Sequence, residues 1–466
     1  MIGPIGPISL ISPIGPMIKL EKFLFYLFLF LIPFQIRAFL YWQGNEWNSV
    51  FLYLGDVVFF GVMVLWLLRQ KRIGPIGPIG LIGPIGIFLA IAGISLFFSS
   101  NLGIGIFRFI KLVEFVGVFL YAKTLHSPNR TNKTYKSYKT YTILIASGLF
   151  QALLAIAQFL KQSSLGLKFI EAGVYGPGMP GVATFIMENG EKVMRAYGSF
   201  PHPNVLAGFL LLSIFALYAK ILSSRIRLIG PIGLIGLILI FALFLTFSRT
   251  AIGVFLVVSL VMFLFYIKIE ADQRRSKRGL TQKKTMGVVK LFGLFAISCI
   301  ISVVLLFPYL QARFFTISLE EEAIDLRFFY NKMAFAMIKE KPFLGIGIGN
   351  FVFHSQNYEA FLRAAEKMLE TGGEVSRQSS GQLVPSWIYQ PVHNIYLLIA
   401  VEMGILGLIV FIAILITNCI RMIRMTNPFL FLIIGFLILG LTDHYFWTLH
   451  SGGLIFWLAL ALARSE

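Results

Sequence analysis

The sequence predicts an all-α, polytopic integral membrane protein with about twelve transmembrane helices, and three observations predict it. The 466 residues are 57% hydrophobic and only 13% charged, with a mean hydropathy of +0.82, where a soluble domain carries about 25% charged residues. Apolar runs close to the roughly 20 residues that cross a bilayer as a helix recur along the whole chain. The runs are continuous rather than alternating. Backbone polar groups cannot stay unpaired in lipid, so helices rather than a closed barrel fit them.

Taken in order, the apolar runs fall at 23–40, 50–68, 87–100, 104–122, 141–160, 204–222, 229–247, 251–267, 287–307, 393–417, 428–443 and 450–463. The predicted organisation is a cytoplasmic tail at 1–22, spans one to nine over 23–307, a large, partly helical extracytoplasmic loop at 308–392, and spans ten to twelve over 393–466. Net charge is +19, and the basic residues give the orientation. With the N-terminus inside, the even connections hold Arg69, Lys71 and Arg72, then Lys123 to Lys139, Arg225 and Arg227, the run Lys268 to Lys284, and Arg421 with Arg424. That is the positive-inside pattern. Both termini are then cytoplasmic, and topology explains the charge better than nucleic-acid binding. The first apolar run behaves as a first span rather than a cleavable signal. Cys299 and Cys419 lie in or at the end of spans, so no disulfide and no cysteine metal site is expected.

Two outer connections are long. Residues 161–203 are rich in Gly and Pro, and residues 308–392 hold nine of the 21 acids. In the second, Ser318 and Glu321 form a capping box and Pro342 follows the helix they open. "NYEAFLRAAEKMLETGG" ends on the C-cap signal Gly372–Gly373. The IGP tracts at 2–16, 73–86 and 229–236 are short and abut spans on the predicted cytoplasmic side, which argues for repeats tolerated in loops rather than a collagen-like element.

Five constellations carry candidate chemistry. In "VMRAYGSFPHPNVLAGF", Arg195 precedes His202 and Asn204, which also suit a turn followed by a helix N-cap. Arg249 in "TFSRTAIGVF" lies between two apolar runs on the outer side, where a cation must snorkel to headgroups or bind an anion. Arg327 and Asn331 share a helix face, which an ordinary solvated surface would also explain. His393 and Asn394 open span ten, with Glu402 about 14 Å further along at 1.5 Å rise per residue. Gly404 and Gly407 in that span allow close helix packing, and Glu402 suits a structural partner as well as a functional group. Asp443, His444 and His450 lie at the turn between spans eleven and twelve. The outer histidines His202, His354, His393 and His444 come without an HExxH, an HxH or a Cys pair, so no metal is expected. "FLGIGIGNF" lacks the βαβ context of a dinucleotide fingerprint and reads as a turn returning toward the membrane.

In chain order, "YGSFPHPNVLAGFL", "TFSRTAIGVF", "RFFYNKMAFAMIKEKPFLGIGIGNFVF", "HNIYLLIAVEMGILGL" and "TDHYFWTL" resemble the O-antigen ligase/polymerase superfamily of bacterial membrane glycosyltransferases. The resemblance implies a GT-C-type helical fold in the cytoplasmic membrane, with the active site facing outward. It implies transfer of a glycan from an undecaprenyl-pyrophosphate carrier to a glycan, lipid or protein acceptor, with inversion and without metal or other cofactor. It assigns His393 as the base and Arg249 and Arg195 to the pyrophosphate. Arg327 assists, and Asn394 orients His393 or the acceptor. Asn331, Asn204, Asp443 and His444 complete the expected substrate-binding set.

The residues agree with that chemistry. A neutral imidazole with an ordinary value near 6.5 can take a proton from an acceptor hydroxyl at neutral pH. A departing pyrophosphate needs cations, and arginine gives planar, multidentate phosphate contacts. Two other classes stay open: a polysaccharide or lipid transporter or flippase without covalent chemistry, which predicts inverted repeats and interrupted helices, and a non-catalytic scaffold acting through 308–392.

Overall fold

The computed structural model describes residues 14–42, 46–73, 83–125, 133–223, 231–276, 282–315, 322–355, 390–425 and 427–462. The protein is mostly helical. The capping box at 318–321, the helix expected at 357–373 and most of the IGP tracts at 2–16 and 73–86 lie outside the described residues, whereas residues 231–236 of the third tract open a helix.

Each of the twelve apolar runs overlaps one helix, and the first shows where continuous hydropathy misleads. Helix α1 is Ile14–Leu31 rather than 23–40. Pro33 follows it, and the aromatic, β-branched stretches Arg37–Tyr41 (β1) and Val50–Tyr53 (β2) pair as an antiparallel hairpin with Phe39 opposite Phe51. A second hairpin joins Thr184–Ile186 (β3) to Lys192–Met194 (β4). The expected all-α class is therefore corrected by two small hairpins, each in a connection between helices.

The remaining runs become α2 (Leu54–Ile73), α3 (Pro84–Ser95), α4 (Leu102–Leu125) and α5 (Lys133–Lys161). Then come α6 (Pro203–Ser223), α7 (Pro231–Leu245), α8 (Arg249–Ser276) and α9 (Gln282–Phe314). After α10 (Glu322–Glu340) and the short α11 (Phe351–Ser355), the bundle closes with α12 (Ile395–Met425), α13 (Phe429–Leu439), α14 (Tyr445–Thr448) and α15 (His450–Leu462). Five helices (parts of α5, α6, α8, α9 and α12) are individually long and apolar enough to cross a membrane. Four shorter apolar helices accompany them among the described residues.

Burial sorts the helices. The apolar window of α6 is 89% buried, and every residue of α15 is buried, so these two form the centre. The window of α9 is only 28% buried, and Ile297, Ile300, Val304 and Leu305 point outward. An apolar surface of this kind suits lipid rather than water.

Hydrogen bonds tie the odd-numbered connections together. Ser199 Oγ donates to the Pro33 carbonyl, the Asn101 amide to Asn350 Oδ1, and the Ile395 amide to the Gly440 carbonyl. At the other ends of the helices, Arg69 pairs with Glu21 at 2.9 Å, and Asn427 donates to the Leu462 carbonyl. These contacts form two sets, one at each end of the helices.

α12 is not a continuous rod. Gly404 has φ 70° and ψ −179°, which breaks the helix and frees carbonyls on its N-terminal side. The glycine-rich turn 345–349 fills the gap. The amides of Ile346 and Gly347 donate to the carbonyls of Val401 and Glu402, and the Ile405 amide donates to Pro342. A Cβ at Gly404 would overlap the Phe343 carbonyl, and one at Gly345 the Val401 carbonyl. Gly404 does more than permit helix packing. It creates a backbone seam that anchors the segment between α10 and α11 to α12.

Candidate active site

The site forms where the odd connections converge. The chain leaving β4 is held by backbone and side chain together: the Ala196 amide donates to the Leu245 carbonyl, and the buried Arg195 donates through Nε to the Thr246 carbonyl at 2.7 Å. Its NH2 group donates to Asn204 Oδ1 at 2.7 Å, and Asn204 Nδ2 donates to Asp443 Oδ2 at 2.8 Å. Asp443 Oδ1 accepts from the amide of His444 at 2.8 Å. One chain of charge-assisted contacts therefore links Arg195 to the turn before α14.

Asn204 is not the helix cap that its sequence position suggests. His202 takes that part, since its Nδ1 accepts from the Asn204 amide at 3.1 Å and its carbonyl from Val205 and Leu206. An accepting Nδ1 leaves the proton on Nε2, so His202 is neutral here. Burial, then Arg195, depresses its ionisation well below the ordinary imidazole value.

His393 lies two residues before α12. Asn394 is the true N-cap there, with Oδ1 accepting from the amides of Tyr396 at 2.9 Å and Leu397 at 3.1 Å. That cap fixes the direction in which His393 leaves the helix. The His393 ring stands edge-on to His444, with centroids 4.8 Å apart, and stacks over Tyr330 at 6.1 Å. Its Nδ1 is buried and makes no hydrogen bond among the described residues, while the ring as a whole is half-exposed. Burial lowers the His393 value and Arg327 lowers it further, against the opposing pull of Asp443 and the Pro391 carbonyl. The net result is an imidazole neutral at pH 7.

Thr448 Oγ1 holds the His444 ring, lying 2.7 Å from Nδ1 and 3.2 Å from the His444 carbonyl. Burial pushes the ionisation of His444 down to about 3. Burial also opposes the Asp443 carboxylate, but His444, His393, His202 and the Asn204 amide outweigh it and hold the acid below its ordinary value. A charged carboxylate thus faces three imidazoles.

The arginines come from four elements. Arg249, at the start of α8, donates through Nε to the Arg313 carbonyl at 3.0 Å. Burial, and then the nearby charge of Arg313 with a smaller contribution from Arg249, brings Arg195 down to about 9. Arg327 is exposed on α10 and lines a small cavity with Asn204, Thr250, Asp443 and Tyr445, about 250 Å³ of open space. Asn331, one turn further along, is half-buried and joins none of these hydrogen bonds among the described residues.

Four participants were not singled out in the sequence. Arg313 looks like an ordinary basic residue in the last turn of a helix. Tyr330 and Tyr445 look like core aromatics, and Thr448 carried no signal at all. Glu402 proves to be an anchor. It accepts from Trp447 Nε1 at 2.8 Å and faces the amides of Gly349 and Phe351.

A second group of ionisable side chains surrounds Lys111. The ammonium pairs with Asp56, lies 3.1 Å from Glu114, and has His450 beyond Asp56 at 3.3 Å. Asp56, Glu114 and His450 are of metal-ligand type, but Lys111 already supplies the cation at their centre.

No curated protein matches the chain in a comparison of sequences. Residues 234–412 run from α7 into α12 and contain Arg249, Arg313, Arg327, His393 and Asn394. They match the family model described as O-antigen ligase, and that match supports the O-antigen ligase superfamily.

Proposed function

We propose that the protein transfers a glycan from an undecaprenyl-pyrophosphate carrier to an acceptor hydroxyl at the outer face of the bacterial cytoplasmic membrane. The reading assumes a GT-C-type arrangement, inversion at the anomeric carbon and no metal. The observation that carries it is the pairing of a neutral, half-exposed His393 with a group of arginines around Arg195, inside the stretch that matches the O-antigen ligase family.

In this mechanism His393 takes the proton of the acceptor hydroxyl. The acceptor oxygen forms the new bond to the anomeric carbon. The bond from that carbon to the pyrophosphate oxygen breaks, and the electron pair leaves with the pyrophosphate. Its departing charge meets Arg249 and Arg195, with Arg313 and Arg327 beside them, so no acid is needed on the leaving side. Asp443 opposes the lowering of the His393 value and stabilises the imidazolium as it forms. Asn204 holds Asp443 and Arg195 in one register. Asn394 aims the base by capping α12. Asn331 is left to the substrate outside this core.

The test is a purified-protein assay with a lipid-linked oligosaccharide and a panel of acceptors. A new glycosidic bond of inverted configuration is the expected product. Translocation of the lipid-linked glycan with no new bond would overturn the reading.

A further inference from the structure

The two hairpins stand on the same side of the bundle as the candidate site. β4 leads into Arg195, and Trp47, between β1 and β2, stands edge-on to His444 with centroids 5.2 Å apart. Their surfaces are opposite in character. The tip of the second hairpin is polar, with Glu188, Asn189, Glu191 and Lys192 all exposed. In the first hairpin Ala38, Phe39, Leu40, Tyr41 and Trp42 follow one another in the open, with Leu40 63% and Trp42 53% exposed. Residues 37–54 hold two charges, Arg37 and Glu46, and these pair with each other.

The first hairpin is a ribbon with two faces. Side chains alternate along a strand. In β2, Phe51 and Tyr53 turn inward and are buried, while Leu52 between them is 41% exposed. Ala38 is opposite Leu52 in the register and shares its outward face. The Leu54 amide, which opens α2, donates to the Ile36 carbonyl across the base of the ribbon. From there Leu54, Val57, Phe60, Val64 and Leu67 form an exposed stripe along one face of α2. The outward face of the ribbon is therefore continuous with an apolar helix face of the bundle. A patch of this kind suits lipid rather than water.

Two features set its depth. A two-stranded ribbon has two open edges, whose backbone groups need water and have none in hydrocarbon. Tyr41 and Trp42 stand at the turn of the ribbon, and such amphipathic rings favour the headgroup level. We propose that the β1–β2 ribbon lies in the leaflet on the site's side of the membrane, at headgroup level, with Leu40, Trp42 and Leu52 against lipid. Its partner is the bilayer surface rather than a protein. The inner face holds to the bundle, where the Tyr53 ring stacks on His450 at 4.2 Å. Trp47 joins the ribbon to His444, so the same element that touches lipid also mounts one wall of the site. The inference does not depend on the glycan-transfer reading.

The test is fluorescence quenching on the full chain in phosphatidylcholine nanodiscs. An NBD group is attached at Leu40→Cys or, separately, at Leu52→Cys, with Cys299→Ser and Cys419→Ser removing the native thiols. Lys192→Cys, on the polar hairpin, is the aqueous reference. Lipids with a nitroxide on the headgroup, near the top of the acyl chain or near its end report depth, and iodide reports water. Both ribbon positions should be quenched most by the headgroup and upper-chain nitroxides, and should be several-fold less open to iodide than Lys192→Cys. An unchanged thermal midpoint checks the fold of each variant. Iodide quenching equal to that at Lys192→Cys, with no nitroxide effect, would place the ribbon in water and overturn the inference. So would quenching strongest from the chain end, which means burial in hydrocarbon. Shielding from iodide and from every nitroxide would overturn it too, since a protein such as a second copy would then cover the ribbon.

Discussion

Two buried polar groups lie close together in this protein, and they are built on opposite principles. Around Lys111, two carboxylates, one ammonium and an imidazole close on themselves: Asp56 and Glu114 flank the cation, and His450 rests on Asp56. Around Asp443, a single carboxylate meets three imidazoles and lies within the field of Arg195, while Arg249 and Arg313 crowd Arg195 and Arg327 lines the same cavity as Asp443. In the first group the ammonium lies between its two carboxylates, so opposite charges meet directly in a low-dielectric setting. In the second, Arg195 reaches the acid only through Asn204, and the exposed Arg327 lines a cavity with Asp443. In the proposed function the arginines of the second group meet the pyrophosphate, whereas the first group holds the fold.

The comparison can be broken at several points. The largest effects concern structure. Gly404→Val places a side chain on the Phe343 carbonyl in a backbone region closed to β-branched residues. It should cost more than roughly 3 kcal/mol and empty the membrane of folded protein. Lys111→Met should cost about 3–5 kcal/mol by leaving two buried carboxylates without their cation. It should lower the thermal midpoint while leaving the pH dependence of any residual transfer unchanged. If Lys111→Met is silent in stability, the cluster is not structural.

The next effects concern rate. Arg195→Ala and Arg249→Ala should each reduce transfer about 100- to 1,000-fold at saturating acceptor, with the protein still present in the membrane. Arg195→Lys should recover little, because lysine cannot donate to both the Thr246 carbonyl and Asn204 in the arginine geometry. Recovery to near wild type would reduce Arg195 to a simple charge.

A smaller effect is a shift in the acid limb of the pH–rate profile. His393 must be neutral to act, and its value is lowered in the folded protein, so activity should persist as pH falls past 6.5 and fade only below. Arg327→Ala removes a positive neighbour and should move that limb to higher pH, by less than about one unit. Asp443→Asn removes a negative neighbour and should move it to lower pH. Shifts of the opposite sign would remove His393 from the role of base. Smallest of all, Asn394→Ala should cost about 1 kcal/mol through loss of the α12 cap.

Much of the fold was legible because lipid-facing apolar runs report themselves locally. Each of the twelve runs overlaps a helix. The exceptions have physical causes. Hydropathy carried span one across Pro33 and into β1, because aromatic strand residues score like helix residues. The break at Gly404 was invisible because its partners, Val401, Glu402, Ile346 and Gly347, lie in separate stretches of sequence. The site was legible where a charged residue contradicts its surroundings. Arg195, Arg249 and His393 stood out for that reason, whereas Arg313 matched the ordinary charge of a helix end. Asn204 and Asn394 were both seen, but their parts could not be told apart: one bridges Arg195 to Asp443, and the other caps a helix.

The most direct measurement of the central claim is glycan transfer by purified His393→Ala protein, given an undecaprenyl-pyrophosphate-linked donor and an acceptor that the wild type uses. Loss of the base should reduce the rate about 100- to 10,000-fold, with unchanged expression and thermal midpoint. Transfer within a few-fold of wild type would contradict it.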